Sequence, residues 1–206
     1  MFGMKWISSA CMGAVLLGCA VSAPAGEFEL LRGLAAYLDG DYPLAYEEFR
    51  PLAEQGDKVA QERLGWLYDN GLGISQDHAE AAKWYRRAGE QGNWDAQSKL
   101  GLLYYQGRGV PQDYTEAAKW SRKAAEQGSA AAQYMLAVLY GLGQGVLQDQ
   151  VRAHMWANIA TVNGGPNSPE LRDIRDKFAR EMTRDQIAEA QRRARECMES
   201  NYTNCD

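Results

Sequence analysis

Apolar residues along this chain recur at helical spacing, and the whole pattern recurs every 36 residues. After Asp57, the residues Ala60, Leu64, Leu67 and Tyr68 fall three or four apart and share one face of a helix. After Asp77, Ala81, Trp84, Tyr85 and Ala88 do the same. Shifted by the period, Leu64 returns as Leu100 and Leu136, Tyr68 as Tyr104 and Tyr140, and Trp84 as Trp120 and Trp156. The polar punctuation keeps step. Asp57, Asn93 and Ser129 offer a side-chain oxygen to cap one series of helices, and Asp77, Asp113 and Asp149 offer one to the other. The pairs Gly71/Gly73, Gly107/Gly109 and Gly143/Gly145 break the first helix of each unit, because glycine tolerates the left-handed backbone that commonly ends a helix. Gly56, Gly92, Gly128 and Gly164 close the units. Self-similarity of this kind predicts an all-α solenoid of stacked helix-turn-helix repeats.

Three full units follow from the pattern, at 57–92, 93–128 and 129–164. A truncated unit at 27–56 precedes them. Its turn, Leu38 to Asp41, is five residues shorter than the turn from Asn70 to Asp77, while Asp41, Pro43, Ala45 and Phe49 keep the cap, the first turn and the stripe. End units are expected to be atypical, since one face meets solvent. Beyond Gly164 the period stops. Ser168-Pro169 can start a helix with proline at its favoured first position. Thr183 with Gln186 makes a capping box. Ile187, Ala190, Ala194 and Met198 then share a face, so 165–199 reads as a pair of capping helices and 200–206 as a tail.

The first 25 residues are different. Lys5 is followed by an uncharged stretch with an apolar centre and small residues at its end, the order of a secretory signal. Ala23-Pro24-Ala25 fits a cleavage site that would leave a soluble chain from Gly26. Leu16-Leu17-Gly18-Cys19 resembles a lipobox, in which cleavage precedes Cys19 and its thiol carries lipid. An uncleaved anchor is the third reading. All three export the domain. Of the four cysteines, Cys11 and Cys19 belong to this leader. In an oxidising compartment Cys197 and Cys205 are expected to form one small disulfide, the alternative being two free thiols. The net charge is -5, and Lys5 is the only charged residue before Glu27, so the remainder carries -6. An acidic body without a basic patch does not suit nucleic acid.

The repeated residues resemble the Sel-like repeat (SLR) family, relatives of the tetratricopeptide repeat. Ala60-Gln61, Leu64-Gly65, Tyr68, Gly71-Leu72-Gly73-Ile74, Gln76-Asp77, Ala81-Ala82-Lys83-Trp84-Tyr85 and Ala88-Gly89-Glu90-Gln91-Gly92 carry the resemblance and return in the next unit. The third unit departs most, with Ala137 in place of the helix glycine and His154 in place of an alanine. The resemblance implies a right-handed superhelix. It also implies an adaptor or regulatory role, which in exported bacterial members often lies in envelope assembly, polysaccharide export, signalling or host interaction. Some cysteine-rich members with a disulfide in each repeat are linked to penicillin binding. No cysteine lies between Cys19 and Cys197 here, so that activity is not carried over.

Catalytic chemistry is hard to find. The two histidines, His78 and His154, have no neighbouring cysteine or histidine to complete a metal site and read as surface or interfacial side chains. Gly71-Leu72-Gly73 follows a helix and not a strand, so it is no nucleotide fingerprint. Arg192, Arg193 and Arg195 form a possible anion site, but Glu189 and Glu196 favour a salt-paired face. The chain is expected to be a non-enzymatic monomer without a cofactor that binds a protein or peptide on a concave face built by first helices. Membrane contact would come only through a lipid anchor. Two residues beyond each buried leucine points about 200° away from it. That places Trp66, Leu102 and Val138 in a row, bordered by Arg63, Lys99, Met135, Tyr105 and Tyr134. The competing expectation is that the row is ordinary solenoid core. Beside the adaptor, a small-ligand receptor or enzyme using the same groove and a structural subunit of an envelope or secretion complex stay open.

Overall fold

The computed structural model describes residues 25–165 and 168–205, with side chains from residue 28 onward. The segment read as an export leader, with Cys11, Cys19 and both cleavage readings, lies outside the described residues. Ten helices and no strand are found among them. They are α1 Ala25–Asp39, α2 Tyr42–Glu54, α3 Lys58–Asn70, α4 His78–Glu90, α5 Trp94–Gln106, α6 Tyr114–Ala125, α7 Ala130–Leu142, α8 Gln150–Asn163, α9 Pro169–Arg180 and α10 Arg184–Glu199. Each helix from α1 to α8 packs on the next in the chain, and the first helices α3, α5 and α7 also lie beside one another. The chain is an all-α helical solenoid. Past α8 the order changes, because α9 and α10 both pack against α8.

The capping residues act as the pattern predicts. Asp57 accepts from the amides of Val59 and Ala60, and Asp77 from those of Ala79 and Glu80. Asn93, Asp113, Ser129 and Asp149 repeat the arrangement. Thr183 and Gln186 form the full capping box of α10. Ser168 precedes α9 without a side-chain cap bond. Gly71, Gly107 and Gly143 end their helices in the left-handed conformation. Gly164 does not: its φ is -81°, and the positive φ falls on Gly165. This is where the period gives way to the chain's path into α9.

Two repeated glutamines hold the units together. Gln61, Gln97 and Gln133, on α3, α5 and α7, are almost wholly buried. Their amides donate to Ala53, Gly89 and Ala125 at the end of the preceding second helix, at 3.1, 2.8 and 3.1 Å. Their carbonyls accept from Gln91, Gln127 and Asn163 at the end of their own unit, at 2.8, 2.8 and 3.0 Å. On the surface, Gln76, Gln112 and Gln148 tie each interhelical loop to the carbonyl of Asp69, Tyr105 or Gly141. The second loop glycine lies against the preceding unit. A Cβ at Gly73 would meet the backbone of Tyr42 and Pro43, one at Gly109 that of His78, and one at Gly145 that of Tyr114.

The apolar core runs along the solenoid in three linked clusters. Leu64, Leu100 and Leu136 are at most 1% exposed, as are Phe49, Tyr85 and Trp156. Arginines reach from one unit into the next, Arg86 to the hydroxyl of Tyr104 and Arg122 to that of Tyr140. At the C-terminal end, Cys197 and Cys205 are joined by a disulfide, and Cys197 is packed into the last cluster. Tyr202, within the closed loop, donates to Asn163 Oδ1 at 3.1 Å and so terminates the glutamine series.

Replacing Gln97 by Ala removes a buried amide and both of its hydrogen bonds across the unit junction, to the Gly89 carbonyl and from the Gln127 side chain. Urea unfolding should show a loss of about 2–3 kcal/mol. Gln76→Ala, at an exposed position, should cost less than about 1 kcal/mol. Equal losses would show that the buried series is not the stronger tie.

Candidate groove on the first helices

The row drawn from the sequence is divided by the structure. Trp66, Leu102 and Val138 are all half-buried on α3, α5 and α7. The Trp66 ring stands edge-on to Tyr37 at 4.9 Å and lies 5.9 Å from Tyr42, so it packs the truncated first unit against the second. Arg63 lies over the same Tyr37 ring at 5.1 Å. Tyr105 packs on Tyr114 at 5.5 Å. These three side chains are engaged by their own neighbours. Val138 lies one turn farther along α7 than Tyr134 and Met135 and lines no groove wall with them.

Four of the row converge elsewhere. Lys99 and Leu102 from α5, with Tyr134 and Met135 from α7, line a groove of about 470 Å³. The N-terminal halves of α5 and α7 add Trp94, Asp95, Ser98 and Ala131, Ser129 adds the cap of α7, and α9 contributes Glu170 and Leu171. The volume falls within the range of ordinary ligand pockets. Trp94 is 50% exposed, unusual for so large an apolar side chain. A signal for it existed in the sequence, since Lys58 and Ala130 hold the equivalent positions of the other units. Nothing local pointed to Leu171. It reaches the groove because α9 packs on α8, with its side chain against the Cα of Gly164.

Polar groups gather at the α5 end. Glu62 on α3 is 2% exposed. Its Oε2 is 3.3 Å from Arg63 Nη1, while its Oε1 receives no hydrogen bond from any described residue. Burial pushes its carboxyl up from an ordinary 4.5 to about 7, assisted by the neighbouring Asp95 and opposed by Arg63 and Lys99. The Tyr85 hydroxyl is likewise buried without a partner, and burial raises its pKa, helped by Asp69, Glu62 and Asp95. Its ring lies on Gly65, where a Cβ would collide with it.

The remaining candidates have structural partners. His78 Nδ1 meets Asp69 Oδ1 at 2.8 Å, and Arg108 from the next unit reaches His78 Nε2 at 3.1 Å. His154 is 3% exposed and pairs with Asn158 at 3.0 Å; burial first, and then Arg175, lowers its pKa. Arg192 binds Glu189 and Glu196, and Arg193 binds Glu189, holding that carboxyl down at about 2. Among the described residues no group of three or more His, Cys, Asp or Glu could hold a metal, and no helix is long and apolar enough to cross a membrane.

The Sel1 repeat profile matches residues 58–93, 94–129 and 130–161. Among solved structures, the chain is similar to a protective antigen present in uropathogenic Escherichia coli strains that displays an SLR fold. The identity is 34% and the TM-score 0.70, over 77% of this chain and 34% of that one. It is also similar to a Sel1 repeat protein from Oxalobacter formigenes, at 36% identity and a TM-score of 0.62, over 66% of this chain and 54% of that one. The match therefore spans about a third and about half of those proteins. No curated protein matches the chain.

Two outcomes follow from this geometry. Trp66→Ala should lower the unfolding midpoint by an amount equivalent to about 3 kcal/mol, as expected for removing a packed aromatic. An unchanged midpoint would return Trp66 to the candidate binding surface. For Glu62, the folded pKa lies above the unfolded one. Its contribution to stability is full below about pH 4.5 and is lost as pH rises through about 7. Wild type should therefore lose up to about 3 kcal/mol relative to Glu62→Gln across that window. A pH-independent difference between the two proteins in thermal or urea unfolding would contradict the assignment.

Proposed function

Because the chain belongs to the Sel1 repeat family, we propose that it is a non-catalytic scaffold of the bacterial cell envelope that holds a segment of another protein in the groove between α5, α7 and α9. Sel1 repeats in general mediate protein–protein interactions. The observation that carries the specific reading is the groove itself. Leu102, Met135 and Leu171, with the half-exposed Trp94, converge on about 470 Å³ in the face made by first helices. Aromatic and aliphatic anchors of this kind supply most of the energy in peptide recognition. Polar groups at the rim, Asp95, Lys99 and Glu170, would set register and direction.

The envelope assignment rests on sequence. Lys5, the apolar segment after it and Ala23-Pro24-Ala25 have the order of an export signal, and Cys19 offers a lipid attachment point in the alternative reading. The Cys197–Cys205 disulfide suits an oxidising compartment. The scaffold works as a monomer, with each chain presenting one groove.

Leu102→Asp places a charge on the groove floor at a half-buried position. Cross-linking in envelope extracts should recover a stoichiometric protein partner with wild type and lose it with Leu102→Asp, while the unfolding midpoint stays within about 1 kcal/mol of wild type. Retention of the partner by the variant would move the binding surface elsewhere. Turnover of a small molecule by the purified protein would replace the scaffold reading with an enzymatic one.

A further inference from the structure

We propose that the α5 end of the groove receives a cationic side chain, a lysine ammonium or an arginine guanidinium, from a partner segment whose adjacent residue is aliphatic or aromatic. The proposal rests on the groove being the binding surface and names the chemistry of what enters it.

Behind the groove wall, on α3, lies a carboxyl group that is incompletely met. Glu62 is almost wholly buried, and its Oε1 receives no hydrogen bond from any described residue. The charged and titratable groups that face it are Arg63, Asp95, Lys99, Tyr37 and Tyr85, and of these Asp95 can share the Glu62 proton in a carboxyl–carboxyl hydrogen bond without neutralising the pair. Arg63, on the same helix, approaches only Oε2 and lies over the Tyr37 ring of α1. Lys99 of α5 is one turn from Asp95, yet among the described residues it makes no ion pair with either Asp95 or Glu62. Tyr85 of α4 is fully buried, its hydroxyl has no partner, and it lies in the field of the same two carboxyl groups. Asp95 stands between Glu62 and the groove: it neighbours the Glu62 carboxyl and lines the groove wall. A buried carboxyl without full pairing is costly, and an arriving cation offsets that cost through both Asp95 and the carboxyl behind it.

The surroundings favour the same sign. Glu170 adds a second negative charge to the groove wall against the single positive charge of Lys99. The chain beyond the leader carries -6, since the whole carries -5 and Lys5 lies in the leader. Such a field attracts cationic segments and disfavours acidic ones. Trp94 precedes Asp95 in the chain and is half exposed, so its ring can lie against a cation held by Asp95. Leu102 and Met135 lie beyond, where the apolar neighbour would be buried. A bound cation also favours the charged form of Glu62, whose proton is held to about pH 7, so binding near neutrality should release protons.

The test is selection of a random dodecapeptide display library on the immobilised protein, keeping clones whose binding is lost on Leu102→Asp. These clones should be enriched in Lys or Arg beside Leu, Phe or Met. A synthetic peptide from the set should bind Asp95→Asn about tenfold more weakly, the worth of roughly one charge-assisted hydrogen bond. Thermal unfolding of Asp95→Asn, measured alongside, should match wild type. Calorimetry at pH 7 in two buffers of different ionisation enthalpy should show proton release with wild type and none with Glu62→Gln. Leu102-dependent clones without basic enrichment, or enriched in Asp and Glu, would overturn the proposal and leave the groove standing. So would an unchanged affinity for Asp95→Asn. No Leu102-dependent clone at all would overturn both.

Discussion

A glutamine amide can be buried only if its carbonyl and its N–H groups both find partners, because water is no longer there to supply them. Gln61, Gln97 and Gln133 meet that condition by joining three helices each: the end of the preceding second helix, their own first helix, and the end of their own second helix. Any unit that slid or rotated against its neighbour would orphan both sets of bonds. The stacking geometry of the solenoid depends on this condition more than on the apolar contacts, which are non-directional. At the C-terminal end no further unit follows, and Asn163 and Tyr202 take over the last positions of the series.

Given that geometry, the remaining packing is a matter of size matching between paired positions. Gly65 faces the ring of Tyr85, and Gly101 faces the small Ser121. In the third unit Ala137 stands where the glycines stood, and the residue at the position of Tyr85 and Ser121 is Ala157. A further pair varies in the same coordinated way. Asp69 and His78 form a polar contact, Tyr105 and Tyr114 an aromatic one, and at the third site Gln150 donates to the Gly141 carbonyl. Departures from the repeat are thus answered by a partner at the equivalent site, and the backbone arrangement is preserved.

The groove has a different origin. It exists because α9 leaves the repeating path and packs on α8, bringing Glu170 and Leu171 across to α5 and α7. A fourth regular unit would have met the same face differently. The aromatic crowd at the other end, Tyr37, Tyr42 and Trp66, fills the junction with the truncated unit. The groove accordingly lies where the periodicity fails. At its α5 end the half-buried Asp95 lines the groove in front of the buried carboxyl of Glu62.

The period of 36 residues, the caps, the left-handed glycines and the two-helix unit were all legible in the sequence, because each depends on residues close in the chain whose conformational preferences are local. Family membership follows from the same residues. Four of the eleven groove-lining residues, Lys99, Leu102, Tyr134 and Met135, were also within reach, since helical geometry alone assigns a face. What local reasoning could not decide was which side chains on that face would be used by the solenoid itself. Trp66, Arg63 and Tyr105 were spent on contacts to Tyr37, Tyr42 and Tyr114, residues distant or unremarkable in sequence. Leu171 and the buried state of Glu62 depend on how helices from different units meet, and a helical repeat leaves that to the packing of its ends. The repeating unit and its stacking code are thus written in residues that lie close together in the chain. The tertiary structure decided where that stacking leaves a surface open, because openings arise from mismatches between units and no single unit contains one.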